Sequence, residues 1–226
     1  MAWGFSISNR ILHRNVRRYL LMGCAMAVLW MFLRAVKYRF FLIDPDITRH
    51  LWYLYYVPQI LAPLFSLFAA LELGRREGDA ICSRWLLLLI PATLLICGVL
   101  TNDLHQMVFR GVPGAATLEA DYTHGWLYFL AMAWTIALLL ITGTIIYRKC
   151  RVFESRKYAW VPLSAFLGGF VLCALSFANI YTFHKMPECF CLTFAALWES
   201  CLQVGLLTTN GHYRYFFSES TVAAQI

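Results

Sequence analysis

Hydrophobic and polar positions in this 226-residue chain alternate on a long scale, in apolar blocks separated by short basic or acidic stretches. A hydrocarbon core about 30 Å thick, spanned at about 1.5 Å per residue, needs about twenty apolar residues per helix. Blocks that meet this need run over 19–36, 52–71, 85–109, 123–147, 158–181 and 187–208. The pattern predicts an all-α fold, a polytopic membrane bundle of six transmembrane helices. Pro58, Pro63, Pro91 and Pro162 fall inside blocks, and the pair Pro58 and Pro63 predicts a kinked second helix. The third block is uneven: LLLLIPATLLICGVL runs straight into TNDLHQMVF, where Asn102, Asp103, His105 and Gln106 arrive within five positions.

Composition agrees with a membrane protein. The chain is 61% hydrophobic and 14% charged, where a soluble domain carries about a quarter charged residues. Trp and Tyr gather near the block ends, as in interfacial belts. The first eighteen residues, MAWGFSISNRILHRNVRR, are basic and too poor in apolar residues to be the core of a cleavable signal peptide. Of the cysteines, Cys24, Cys97, Cys173 and Cys201 sit in apolar runs as small hydrophobes. Cys189 and Cys191 form a CxC at a helix start, where an extracellular disulfide could form.

Lys and Arg set the orientation. Thirteen fall on one side: Arg10, Arg14, Arg17 and Arg18, then Arg75, Arg76 and Arg84, then five between 148 and 157, then Arg214. Six fall on the other: Arg34, Lys37, Arg39, Arg49, Arg110 and Lys185. Both termini are therefore expected in the cytoplasm. Topology and anionic lipid account for the net charge of +7, so no nucleic-acid partner is expected. With no linker or internal repeat, the chain reads as a basic arm (1–18), one transmembrane domain (19–208) and a cytoplasmic connector (209–226).

This orientation puts TNDLHQMVF at the outer membrane face. Helical spacing would place Asn102, His105, Gln106 and Phe109 on one side, with Asp103 turned about 100° away. Such a face avoids lipid, where each unsatisfied polar group costs several kcal/mol, and should look into the bundle or a wet cavity. Other outer polar groups are Asp44, Asp46 and His50, then Glu119, Asp121 and His124, then His184, Glu188 and Cys189. Three readings stand side by side: ordinary headgroup-level polarity, a small-molecule pocket around Asn102, Asp103 and His105, or a metal site. No local spacing of the zinc kind such as HxxxH supports the last. Deeper in the membrane, Glu199 and Gln203 stand at i and i+4, functional by default or held by hydrogen bonds to each other or to Asn179. Asn179 and Gln59 read as interhelical glue, and Gly143, Gly168 and Gly169 as close helix contacts. No nucleophile elbow, P-loop or HExxH is present, so no catalytic residue, metal or cofactor is expected.

LTNDLHQMVF resembles the TN-x-x-H signature at an outer helix end in the N-terminal seven-helix membrane region of bacterial sensor histidine kinases. In the same order, YYVPQILAPLFSLFAALELGRR is similar to that family's proline-containing helix and basic turn. YTHGWLYFLAMAWTIALLLITGTIIYRK is similar to its next long helix, and YAWVPLSAFLGGFVLCALSF and CLTFAALWESCLQVGLL to its last two. The tail NGHYRYFFSESTVAAQI resembles the connector into the cytoplasmic signalling part. Six recognisable helices stand where the family has seven, and the sequence given stops at Ile226 before any kinase domain, as expected of a fragment, a truncated gene or a free-standing sensor module.

The resemblance implies a signal-input module in a bacterial plasma membrane. A small-molecule or membrane-borne ligand would bind near Asn102, Asp103, His105, Gln106, His124 and Trp126. The last helix would pass the signal to Tyr213, Phe216 and Phe217, facing a cytoplasmic kinase. A homodimer is also implied. His105→Ala and Asn102→Ala proteins are expected to fold but lose the response. The alternatives are a small transporter or channel lined by Glu199, Gln203 and Asn179, and an intramembrane metalloenzyme using His105, His124 and His184 with Asp103 or Glu188 as base.

Overall fold

A computed structural model describes residues 6, 9, 11, 13–40, 45–73, 82–111, 122–149, 160–177 and 186–203. The elements in order are α1 (Arg14–Phe40), α2 (Pro45–Leu54), α3 (Tyr56–Glu72), α4 (Ser83–Leu86), α5 (Leu89–Leu100), α6 (Asn102–His105), β1 (Phe109–Gly111), β2 (Tyr122–His124), α7 (Trp126–Lys149), α8 (Trp160–Phe177) and α9 (Met186–Gln203). The fold is mostly helical. Among the described residues, four stretches are long and apolar enough to cross a membrane: Arg14–Arg39, Asp46–Glu72, Ser83–Leu100 and Trp126–Lys149. The helices α8 and α9 lie in the fifth and sixth apolar blocks.

Prolines mark helix starts more than mid-span kinks. Pro45 opens α2, Pro58 and Pro91 are the third residues of α3 and α5, and Pro162 and Pro187 stand in the first turns of α8 and α9. A first-turn residue needs no intrahelical donor, so the missing proline N–H costs nothing there. The predicted kink in the second block is a break at Tyr55, between α2 and α3: Pro58 cannot donate to Leu54, and the Tyr55 carbonyl instead accepts from Gln59 N at 3.3 Å. Pro63 remains inside α3. In the third block the chain turns at Leu87 and Leu88, four residues before Pro91, and the Leu87 carbonyl accepts from Ile90 N at 3.0 Å.

The all-α expectation needs one correction. Phe109 does not continue a helix but begins β1, which pairs antiparallel with β2 in the register Phe109 with His124, Arg110 with Thr123 and Gly111 with Tyr122. The helix that opens at residue 89 stops at Leu100, one further turn closes at His105, and Gln106 adopts a left-handed backbone with φ 49° and ψ 33°. That turn of the chain, unfavourable for a residue with a Cβ, redirects it into the strand.

The chain divides into two compact units, one of Met22–Leu67 and Ile81–Ile141, the other of Met1–Leu21, Phe68–Ala80 and Thr142–Ile226. The first unit buries Tyr53, Tyr56, Ile60, Leu64, Val99, Phe109 and Ala131. The second buries Leu20, Phe68, Ile146, Leu197 and Trp198. In the latter, α8 packs on α9 where Gly169 meets Thr193; a Cβ on Gly168 would meet nothing within 4 Å. Only one glycine of the pair makes the close contact that both were expected to make.

Candidate functional site

The last carbonyls of a helix have no partner within it, and the TNDLH string supplies partners for those of α5. Thr101 N and Oγ1 both donate to the Cys97 carbonyl, at 3.0 and 2.7 Å. Met107 N–H donates to His105 Nδ1 at 3.0 Å, which fixes Nδ1 as the acceptor. The ring proton then lies on Nε2, which donates to the Gly98 carbonyl at 2.9 Å. His105 is thus a strut between the end of α5 and the chain after α6.

Asn102 does more with one amide. Its Oδ1 accepts from Val108 N at 2.9 Å and Phe109 N at 3.1 Å, and its Nδ2 donates to the Phe109 carbonyl at 3.1 Å and Tyr53 Oη at 3.2 Å. All four bonding positions of the side chain are filled, and the residue is 1% exposed. Asn102 therefore holds the start of β1 against α2. The strand pair is also tied to the start of α7: Gly125 N donates to the Val108 carbonyl at 2.8 Å and Leu127 N to the Met107 carbonyl at 3.2 Å. A Cβ at Gly125 would lie 1.9 Å from the Met107 carbonyl oxygen, which is why glycine precedes Trp126.

From Asn102 a polar chain runs to exposed side chains. Tyr53 Oη accepts from Asn102 and donates to Asp103 Oδ1 at 2.8 Å. Arg49 pairs with Asp103 Oδ2 at 3.3 Å and with Asp46 at 3.1 Å. His50 Nε2 stands 3.8 Å from Asp103 Oδ2, and its Nδ1 contacts the Asp46 carbonyl at 2.7 Å. The Asp103 side chain is 38% exposed and that of His50 61%, so this end of the chain meets solvent. Beneath it Phe109 is enclosed by rings: Trp52 stacked at 4.2 Å, Tyr122 edge-on at 5.3 Å, Tyr56 at 5.8 Å and Tyr128 at 6.0 Å. Lys37 places its ammonium 5.5 Å over Trp52 and 5.8 Å over Tyr55.

The structure thus joins Asn102 and Asp103 through Tyr53 and turns His105 back on α5. Gln106 is exposed at the left-handed corner, not on a shared helical face with Phe109. His124, on β2, packs 4.0 Å from Tyr128 and 6.2 Å from Phe109, and burial lowers its pKa below the ordinary 6.5. Trp126 is 56% exposed at the first position of α7. Tyr53 and Arg49 went unremarked as site residues, although Asp46, Arg49, His50 and Tyr53 recur at spacings of three and four along α2 and so share one face. Among the described residues no three His, Cys, Asp or Glu side chains converge to hold a metal; His184 lies outside them.

Of the membrane-interior candidates, Gln59 Nε2 reaches Met132 Sδ at 3.6 Å, between α3 and α7. Glu199 is half-buried on α9; Asn179 and the Gln203 side chain lie outside the described residues. A residue passed over in the sequence is Glu72, 1% exposed at the end of α3.

Comparison with known proteins gives a single finding. A family model described as the N-terminal 7TM region of histidine kinase matches residues 1–219. No curated protein and no solved structure matches the chain. A match over nearly the whole length, on a chain whose helices are built to cross a membrane, shows that the chain belongs to the family of N-terminal seven-helix membrane regions of histidine kinases.

Proposed function

We propose that the outer helix ends are the ligand-responsive head of this sensor region, with Asp103 as the primary contact and Arg49, His50, Gln106 and His124 around it. The observation that carries this reading is the relay Asn102 to Tyr53 to Asp103, which begins at a saturated buried amide and ends at a partly exposed carboxylate. A ligand that draws Asp103 away from Tyr53 or Arg49 alters the bonds holding β1 against α2. Asn102 and His105 shape the head; with every polar atom of Asn102 engaged, they are not the atoms a ligand reaches first. Of the binding set expected at Asn102, Asp103, His105, Gln106, His124 and Trp126, this reading keeps Asp103, Gln106 and His124 as contacts, gives Asn102 and His105 a shaping role and puts Trp126 at the bilayer interface.

In this reading the chain crosses a bacterial plasma membrane six times with both termini inside. The ligand is a small molecule or a membrane-borne group. Its differential affinity for two packings of the bundle is what passes inward. The helices α3 and α7 each contribute residues to both compact units, and α9 leads to the connector, so all three are available to carry the change to a cytoplasmic kinase acting as a homodimer.

Thermal unfolding of the detergent-solubilised chain against amino acids, organic acids and polyamines tests the reading. A ligand at a hundred times its Kd adds about 2.7 kcal/mol, or roughly 5–10 °C in Tm for a chain of this size. Such a rise in the wild type, abolished in Asp103→Asn, is expected. A ligand that stabilises both proteins equally would move the site elsewhere.

A further inference from the structure

The C-terminal turn of α3 holds two groups that the sensor reading leaves unused. Lys149, the last residue of α7, places its ammonium nitrogen 2.9, 2.6 and 2.6 Å from the carbonyl oxygens of Ala70, Leu71 and Leu73. Three N–H donors thus meet three carbonyls at the end of α3, and the positive charge suits the negative end of the helix dipole. Between those carbonyls in sequence stands Glu72. It is 1% exposed, and among the described residues neither carboxylate oxygen has a hydrogen-bond partner. One turn back on the same face, Phe68 packs edge-on against the Tyr19 ring at 5.4 Å, so the apolar packing continues up to the carboxylate.

A buried carboxylate with no donor is among the costliest arrangements a protein can hold. A cation sits on the carbonyls of the residues to either side of Glu72. Lys149 carries a flexible four-carbon stem with a compact charge at its tip, and the Leu71 and Leu73 carbonyls flank Glu72 along the chain. Rotation of side-chain torsions can exchange one set of acceptors for the other with both backbones fixed. On the carbonyls, the ammonium caps α3 and leaves the carboxylate bare. On the carboxylate, it forms an ion pair and frees the carbonyls.

We infer that Glu72 is a second docking position for the Lys149 ammonium, so that Lys149 ties α7 to α3 in either of two arrangements. Each arrangement satisfies what the other leaves open, so a bias that favours either one selects between them. Glu72 and Lys149 are positioning residues in this scheme. It does not rest on the outer ligand site.

Solid-state NMR of the full chain in liposomes, with ¹⁵N at lysine Nζ and ¹³C at glutamate Cδ, measures the contact directly. Dipolar dephasing that reports an N to C separation under about 4.5 Å, the range of a direct ion pair, is expected in the wild type. It should vanish in both Glu72→Gln and Lys149→Met and return in Lys149→Arg when the label is moved to the guanidinium. Dephasing unchanged by Glu72→Gln would overturn the inference, as would its absence from the wild type. Because Gln keeps the shape of Glu, Glu72→Gln should fold. A second measurement is the Tm lost on Lys149→Met, expected to be several degrees in the wild type and less than half as large in the Glu72→Gln background. Equal losses would make Lys149 a helix cap alone and overturn the second position.

Discussion

At the scale of the residue, Asn102 and His105 show how polar groups survive at the end of an apolar helix. A buried amide is tolerated when every donor and acceptor is matched, and Asn102 matches four. Replacing it by Ala leaves the Val108 and Phe109 N–H groups without their acceptor, at about 1–3 kcal/mol each. Asn102→Ala should therefore lose roughly 3–5 kcal/mol of stability, seen as a large fall in Tm or in folded yield. The expectation that it folds and merely stops responding gives way to this bonding. His124 makes a milder prediction. Its pKa lies below 6.5 in the folded chain because burial disfavours the imidazolium. Below about pH 6.5 the unfolded chain thus binds more protons than the folded one, and stability falls as pH drops toward the folded pKa and is flat above. The Tm should decline from pH 7.5 to 5.5 in the wild type and less so in His124→Gln, by a small margin because the ring is partly exposed.

At the scale of the element, α8 and α9 offer a paired test. A Cβ at Gly169 would lie 1.9 Å from Thr193 Cγ2, whereas one at Gly168 meets nothing within 4 Å. Gly168→Ala should stabilise α8 by up to about 1 kcal/mol from helix propensity alone. Gly169→Ala forces α8 from α9 and should cost about 1–3 kcal/mol. Comparison of the two Tm values in the same detergent separates contact from propensity; equal effects would contradict the packing of these helices. The same scale explains the prolines. Their places in first turns follow from a missing donor, a local rule that sequence can express, while the breaks at Tyr55 and Leu87 fall three and four residues ahead of the prolines that cause them.

At the scale of the whole molecule, four stretches suited to a bilayer and a family match over residues 1–219 describe a multi-pass membrane sensor region. The distribution of Lys and Arg predicts which side is which. Fusions of a periplasm-active phosphatase and of a fluorescent protein test it: phosphatase should be active after residue 115 and inactive after 78 or 153, and fluorescence should appear from a fusion at the C-terminus. The reverse pattern at any of these positions would break the proposed orientation.

The sequence by itself determined that the chain is mostly helical and which blocks are apolar enough for a bilayer, because only a segment that satisfies its own backbone can cross lipid and hydropathy is a local property. It also marked TNDLH as out of place and pointed to the family. Tertiary structure alone decided the partners. Asn102 and Asp103 meet Tyr53 across 49 and 50 residues of chain, and Lys149 meets α3 across 76 to 79. The turn at Gln106 sent Phe109 into a strand where helical spacing had placed it on a face with Asn102. Glu72 looks like an ordinary helix-end acid before a basic turn; only the packing of α3 shows that water does not reach it. Pairings over such distances depend on which faces the assembled helices present to one another, and the pattern of residues along one helix does not encode that.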